Sequence, residues 1–219
     1  MRVLVIGTGN MGRGIATRLL AGRNDVTLYD KSQEDARTLA SQLQDAAPGA
    51  RVSVASSAAD AVQSSDVVIL ATPYEGNLEV ARDLATALDG RVVVDISNPL
   101  NATYDGLVTP PGTSAAETIQ AELPMGAKLV KAFNTTFAGT LVDGNVAGQP
   151  LDVFIAGDDD GAKGTVAELV RGGGLNPIDV GALERSRQLE ALGLLGITLQ
   201  GRLNTGFMSG WKLVMPKAG

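Results

Sequence analysis

The chain of 219 residues predicts an α/β protein: a doubly wound, mostly parallel sheet followed by a small helical part at the C-terminal end. Three observations predict this. Short, almost continuously apolar runs recur, as in Val3-Leu4-Val5-Ile6 and Val67-Val68-Ile69-Leu70-Ala71. Strands apolar on both faces belong to parallel sheets covered by helices on each side. Between these runs lie segments with apolar residues at helical spacing, and the two kinds of segment alternate, as in βα units.

The first unit is the most informative. Arg2–Ile6 reads as a strand, followed at once by Gly7-Thr8-Gly9-Asn10-Met11-Gly12. A helix runs from about Asn10 to Ala21, with Ile15, Ala16, Leu19 and Leu20 at helical spacing. In a strand–turn–helix carrying G-x-G-x-x-G, Gly7 reverses the chain, Gly9 lets a pyrophosphate approach the backbone, and Gly12 lets helix and strand pack closely. The helix N-terminus adds unpaired N–H groups and a positive dipole end. Val26–Tyr29 is the second strand. It ends at Asp30, 18 residues past Gly12, where a carboxylate can accept hydrogen bonds from an adenosine ribose. The unit therefore reads as Rossmann-type and dinucleotide-binding.

The remaining elements follow in order. Ser32 caps a helix carrying Ala36, Leu39, Ala40 and Leu43, which Pro48-Gly49 ends. Arg51–Ala55 is a short strand and Ser57–Ser64 a short helix. Asp66–Ala71 is a buried strand closed by Thr72-Pro73. One helix through Leu78, Ala81, Leu84, Ala85 and Leu88 leads by Asp89-Gly90 into strand Arg91–Ile96. A long loop, Ser97 to about Pro111, is of the kind that is often functional. Ser114–Leu123 is a helix, Lys128–Phe133 a strand leading into Asn134-Thr135-Thr136, and Leu151–Ala156 a strand. Asp158-Asp159-Asp160 suits the N-terminus of the next helix by charge–dipole attraction; a metal site there lacks the regular ligand spacing of a cation loop. The last strand ends at Ile178-Asp179-Val180, and from Gly181 the chain is helical and apolar, with Trp211 near its end. Residues 1–180 thus form the expected nucleotide-binding domain and residues 181–219 a helical extension. Ligands of such sheets bind past the carboxyl ends of the strands, so Gly7–Gly12, Thr72–Tyr74 and Ser97–Asn101 face the ligand.

Composition sharpens this by exclusion. Hydrophobic content of 44% supplies an ample core, and no apolar run approaches the ~18–20 residues a membrane helix needs. The first strand begins at the N-terminus, which leaves no room for a signal peptide; the expected location is the cytoplasm, away from membranes. The chain has neither Cys nor His. Ser-His-Asp and Cys-His catalysis, His- or Cys-based zinc sites, and dehydrogenases with a His general acid are all excluded. Net charge is −6, yet from Arg185 onward there are five basic residues and one acidic residue, Glu190. The acidic body argues against nucleic acid as a partner. The basic end is either a solvated surface or a contact for an anionic ligand.

By its motifs the chain resembles the NADP oxidoreductases that depend on the deazaflavin coenzyme F420. The residues that carry the resemblance are Ile6–Gly14, Ser97-Asn98-Pro99-Leu100, Val130–Thr135, Ala156–Asp160, and Asp179-Val180-Gly181 followed by Ser186-Arg187. The resemblance implies hydride transfer between NADP(H) and coenzyme F420, a C-terminal part that helps hold the deazaflavin, and a homodimer. It implies that Thr8, Asn10 and Met11 line the pyrophosphate turn, Thr72 and Pro73 border the adenosine, and Asn98 and Pro99 lie beneath the nicotinamide ribose. Phe133, Asn134 and Thr135 would flank the reacting rings, with core packing the alternative for Phe133. Asn134 and Thr135 are the expected catalytic residues. Arg185, Arg187 and Arg202 are candidates for the anionic deazaflavin tail. Since both reacting centres belong to cofactors, the protein need only position them and exclude water.

Two departures stand out. Archaeal members of the family carry His where this chain has Asn134. The family's NADP site places a small polar residue before Arg, whereas this chain has Asp30-Lys31-Ser32. A carboxylate at Asp30 favours NAD, while Lys31 and Ser32 can bind a 2′-phosphate if Asp30 turns away; NADP is the expectation and NAD the alternative. Two other functions fit the residues: a reductase of another small acceptor (flavin, ferric iron, imine or carbonyl), and a dinucleotide sensor without turnover. Lys131 and Asn134 approximate the Lys-x-x-x-Asn pair of β-hydroxyacid dehydrogenases, but one residue short.

Overall fold

The structure, a computed structural model, describes residues 1–216. The last three residues of the expected extension, Lys217 included, lie outside the described residues. Among the described residues there are ten strands: β1 Arg2–Ile6, β2 Asp25–Tyr29, β3 Val52–Val54, β4 Val67–Leu70, β5 Val92–Asp95, β6 Lys128–Lys131, β7 Asn145–Val146, β8 Gln149–Pro150, β9 Asp152–Gly157 and β10 Asn176–Gly181. The helices are α1 Asn10–Ala21, α2 Gln33–Ala46, α3 Ala58–Gln63, α4 Tyr74–Asp83, α5 Ala85–Leu88, α6 Ala115–Glu122, α7 Ala138–Asp143, α8 Asp160–Gly172 and α9 Ser186–Leu203, the last preceded by a 3-10 turn at Leu183–Arg185.

Eight strands form one sheet in the order β10-β9-β6-β5-β4-β1-β2-β3. The run from β6 to β3 is parallel. β9 is antiparallel to β6 and β10 parallel to β9. β9 meets β6 only at Val130–Gly157 and Lys131–Ala156, so its first residues run past the carboxyl end of β6. An apolar run is the same whichever way a strand points, which is why the reversal is invisible in the sequence.

The pleat sends alternate residues of β1 to opposite faces. Val3 and Val5 pack with Ile15, Leu19, Leu39, Leu43, Val166 and Leu169 on one side. Leu4 and Ile6 pack with Val62, Val68, Leu70, Leu88 and Ile119 on the other. The caps follow local chemistry: the hydroxyls of Ser32, Ser57 and Ser114 accept from Asp35 N, Asp60 N and Glu117 N, and Asp159 accepts from Ala162 N. The Asp158–Asp160 stretch is therefore used as a helix start, with Asp158 accepting from Leu183 N and Asp160 paired to Lys163.

Three local expectations are corrected. The single helix expected through Leu88 is two helices, broken at Leu84 (φ −105°, ψ 12°); its apolar periodicity continues across the break. Between Thr136 and Leu151, where no element was expected, lie α7 and the β7–β8 hairpin, with left-handed Gly144 and Gly148 at the turns. Both elements are too short to show a period. The expected helical extension stops at Leu203, capped by left-handed Asn204. Residues 205–216 have no regular structure and fold back as a strap. Gln200 Oε1 accepts from Phe207 N (3.0 Å), Phe207 packs edge-on against Phe137 at 5.4 Å, and Asp152 accepts from Lys212 Nζ (2.5 Å) and Leu213 N (2.7 Å).

Candidate active site

The strand order reverses between β2 and β4 on either side of β1, and the carboxyl ends of β1, β4, β5 and β6 open on one side of the sheet, where doubly wound folds bind ligands. The loop from β1 to α1 is shaped by its glycines. Gly7 has φ +105°, and a Cβ there would lie 2.6 Å from Ala71 O. A Cβ on Gly12 would lie 2.1 Å from Gly7 O, so α1 packs against β1 at a distance only glycine permits. At Gly9 a Cβ would meet no atom within 4 Å. Gly9 is also the N-cap of α1 and no side chain caps that helix. Its first N–H groups have no partner within the helix, and the space beside Gly9 is open, a combination suited to cradling an anion.

Asp30 closes the loop. Its Oδ2 accepts from Thr8 N and Thr8 Oγ1, both at 2.8 Å, and Oδ1 accepts from Ser32 N at 3.0 Å. Burial pushes the carboxyl pKa up, but the Ser32 and Thr8 hydrogen bonds outweigh it and hold the group below its usual range. Lys31 pairs with Glu79 at 2.7 Å, and both side chains are more than half exposed. Such a pair is readily exchanged for another anion.

The next two loops are joined by a buried polar chain. Thr72 N and Oγ1 donate to Asn77 Oδ1 (3.1 and 2.6 Å), beside Pro73, which begins α4. Asn77 Nδ2 donates to Leu70 O (3.0 Å) and Asp95 Oδ1 (2.8 Å). Asp95 also accepts from Ser97 N (3.0 Å) and Ser97 Oγ (2.7 Å). Lys131 lies wholly buried, its Nζ 2.6 Å from Asp95 Oδ2, 2.5 Å from Ser97 O and 2.9 Å from Glu190 Oε1. Glu190 in turn accepts from Ala115 N (2.9 Å) and Ala116 N (3.3 Å) at the start of α6. Burial lowers the Lys131 pKa, but Asp95 and Glu190 together overcome it and raise the value, so the ammonium stays charged. Burial raises that of Glu190 against the pull of Lys131.

Beside this chain sit the residues expected at the reacting rings. Asn98 Nδ2 donates to Asn134 O (2.8 Å); Asn134 Nδ2 donates to Asn98 Oδ1 and to Leu189 O, both at 2.9 Å. Asn134 Oδ1 and Thr135 Oγ1 are buried and have no partner among the described residues, a state that buried polar atoms rarely keep unless a ligand or water meets them. Pro99 is buried, its carbonyl accepting from Val108 N at 2.8 Å. Phe133 packs in the core, in a left-handed conformation (φ +63°) closed by Thr136 N and Oγ1 bonding to its carbonyl. Of the three arginines weighed for an anionic tail, Arg187 is committed to Glu117 (2.5 Å) and Arg185 lies 3.8 Å from Glu184, while Arg202 is exposed.

Asn77, Asp95 and Glu190 did not stand out in the sequence. One signal was available: Asp95 and Lys131 are opposite charges closing two adjacent apolar strands, and they are cross-strand partners in the sheet. No comparable pattern marks Glu190, which comes from a helix 59 residues later.

The reversal beside β1, the bare glycine cradle and the carboxylate at the end of β2 define a dinucleotide-binding α/β protein of the oxidoreductase type. Comparison with known proteins narrows the class. Residues 2–99 match the family model described as NADP oxidoreductase, coenzyme F420-dependent. The F420-dependent NADP reductase of Methanocaldococcus jannaschii is 33% identical over 91% of this chain and 93% of its own length. The metalloreductase STEAP3 of Rattus norvegicus is 31% identical over 88% of this chain but only 36% of its own. A crystal structure from Arthrobacter sp. FB24, provisionally described as an F420-dependent NADP-reductase, superposes with a TM-score of 0.81 at 32% identity, covering 97% of this chain and 99% of that one. The chain belongs to the family of coenzyme F420-dependent NADP oxidoreductases.

Proposed function

We propose that this protein transfers a hydride between NADP(H) and coenzyme F420, with the pyrophosphate on the Gly7–Gly12 loop and the two ring systems against Asn98, Asn134 and Thr135. Nicotinamide and deazaflavin supply the hydride chemistry themselves; the protein binds, aligns and dries. Gly9 to Met11 hold the phosphates through backbone N–H groups, with Thr8 fixed by Asp30. Thr72 and Pro73 border the adenosine. Asp30 is engaged by Thr8 and Ser32 N, so Lys31, by exchanging its exposed pair with Glu79, and the Ser32 hydroxyl, which can still donate while it caps α2, meet a 2′-phosphate. Pro99 stiffens the floor beneath the ribose. Asn134 and Thr135 are the groups closest in role to catalysis: their unpaired buried oxygens stand ready to accept or orient at the rings. Residues 181–219 complete the second-ligand site through the first turns of α9.

The observation that carries the reading is the pairing of an open N–H cradle after β1 with orphaned Asn134 Oδ1 and Thr135 Oγ1 after β6, at carboxyl ends on the same side of the sheet. We further propose that the active form is a homodimer in the cytoplasm; among the described residues no helix is long and apolar enough to cross a membrane, and Leu195, Leu203 and Phe207 are exposed on α9 and the strap. The test is a mixing assay. NADPH added to oxidised F420 should bleach the deazaflavin absorbance stoichiometrically. Oxidation of NADPH with FMN or ferric salts but not with F420 would replace this reading by a reductase of that acceptor, and binding without turnover of any acceptor would replace it by a sensor.

A further inference from the structure

Three charged side chains, Asp95, Lys131 and Glu190, lie at 0 to 1% exposure in one cluster. Desolvating such a group is expensive, and apolar residues of similar size often serve stability as well. The cluster must therefore be explained by what it holds in place. Lys131 Nζ holds the carbonyl of Ser97, the residue before Asn98. It also holds Glu190, the residue after Leu189. Asn98 Oδ1 and Leu189 O are the two acceptors from which the Asn134 amide hangs. Lys131 thus fixes both supports of Asn134 from behind, one residue away from each. On the other flank, Asp95 reaches Thr72 through Asn77. One ammonium spans the strand end on the nucleotide side, the wall at the reacting rings and the first turns of α9. A tight contact closes the arrangement: a Cβ on Gly193 would lie 2.6 Å from Asn98 Oδ1, so α9 rests directly on that amide.

We propose that Lys131, clamped between Asp95 and Glu190, is a positioning residue for hydride transfer, acting through Ser97, Leu189 and the Asn98–Asn134 pair. This rests on the function proposed above. Misplacement of reacting groups by about 1 Å costs on the order of 100-fold in rate, so the cluster acts on the hydride step rather than on nucleotide affinity.

The test compares the parent protein with Glu190→Gln and with the double variant Lys131→Met/Glu190→Met. Gln has one acceptor oxygen where Glu190 uses two to meet three donors, so one contact is lost without stranding a charge. The double variant removes one cation and one anion together; Asp95 keeps Asn77 and Ser97 on Oδ1 but loses its ion-pair partner on Oδ2, so this variant carries a larger stability cost than Glu190→Gln. Each folded variant should bind NADPH within about threefold of the parent, measured by fluorescence titration, because the pyrophosphate loop is untouched. Single-turnover hydride transfer to F420 should slow at least tenfold, with a larger primary deuterium isotope effect from 4-deuterated NADPH. These assays are run well below each variant's melting temperature, so a merely structural role would lower the melting point and leave the hydride step unchanged. A folded variant that transfers hydride at the parent rate overturns the proposal, as does failure of both variants to fold, which would assign the cluster to stability alone. A parent that reduces FMN or ferric salt but not F420 removes the proposed function instead, and the variants are then scored on the acceptor the parent does reduce.

Discussion

Two alanine substitutions three residues apart should fail in opposite ways. Gly9 has φ −67° and ψ −173°, which alanine adopts without strain, and its Cβ would point into open space. Gly9→Ala should therefore change stability by less than about 1 kcal/mol. In the proposed site the same methyl stands where the phosphate must approach the loop. Displacing the phosphate from one charge-assisted N–H bond forfeits about 1.5–3 kcal/mol, which weakens NADPH binding roughly 10- to 150-fold. Gly12→Ala drives a Cβ to 2.1 Å from Gly7 O, a clash with backbone that only a shift of α1 relieves. Overpacking of this kind costs about 1–3 kcal/mol, or roughly 2–12 °C in melting temperature for a domain of this size. Thermal melts and NADPH titrations on both variants make the comparison. If Gly9→Ala bound NADPH as the parent does, no phosphate would lie on this loop and the site would have to be sought elsewhere.

Asp30→Ser should raise affinity for NADPH relative to NADH, since it removes the carboxylate beside Lys31 and Ser32; an unchanged ratio of dissociation constants would place Asp30 away from the ribose. Asn134→Ala strips a donor from Asn98 Oδ1 and Leu189 O, so it should cost about 1–3 kcal/mol in denaturant unfolding and slow F420 reduction more than it weakens NADPH binding; unaltered turnover would remove Asn134 from the site. The strap offers a pH test through Trp211, the single tryptophan. Burial pushes the Asp152 carboxyl up, but Lys212, Asn176 and Leu213 N prevail and hold it below the usual carboxylate range. A carboxyl lowered in the folded state stabilises fully above its unfolded value, and that contribution is lost as pH falls through the lower folded value. Release of the strap, read as a red shift of Trp211 emission, should thus begin only in acid below the ordinary aspartate range and should appear at neutral pH in Asp152→Asn; an Asp152→Asn protein with parent emission at neutral pH would show that the ion pair does not hold the strap.

The architecture was legible wherever burial leaves a periodic trace. The runs through β1, β4 and β5 are apolar because both faces of the sheet are covered, and the serine caps of α2, α3 and α6 stand where a hydroxyl precedes a helical period. The glycine loop was legible because each glycine answers a separate steric demand. What escaped was the part of the site assembled by distance rather than by neighbourhood. Lys131 was legible beside Asn134, but its partners Asn77, Asp95 and Glu190 come from α4, β5 and α9, and no spacing along the chain ties them to it. α7 was missed because six residues show less than two turns of periodicity. The strap was mistaken for helix because its apolar residues continue those of α9 while Asn204 and Gly206, both left-handed, turn it back.

The two-rung junction between β6 and β9 has a consequence for how the reaction centre is built. Ala132 N makes one more bond, to Asp95 O (3.2 Å), and beyond it the chain quits the ladder. Because the antiparallel neighbour diverges at that point, Phe133 to Thr136 are not bound by sheet geometry and can curl out of its plane. A fully parallel partner would have carried the strand straight on and aimed Asn134 along the sheet. The reversal of the β9–β10 pair is thus what releases a short length of backbone to form, in the proposed site, the wall against which two ring systems can be laid.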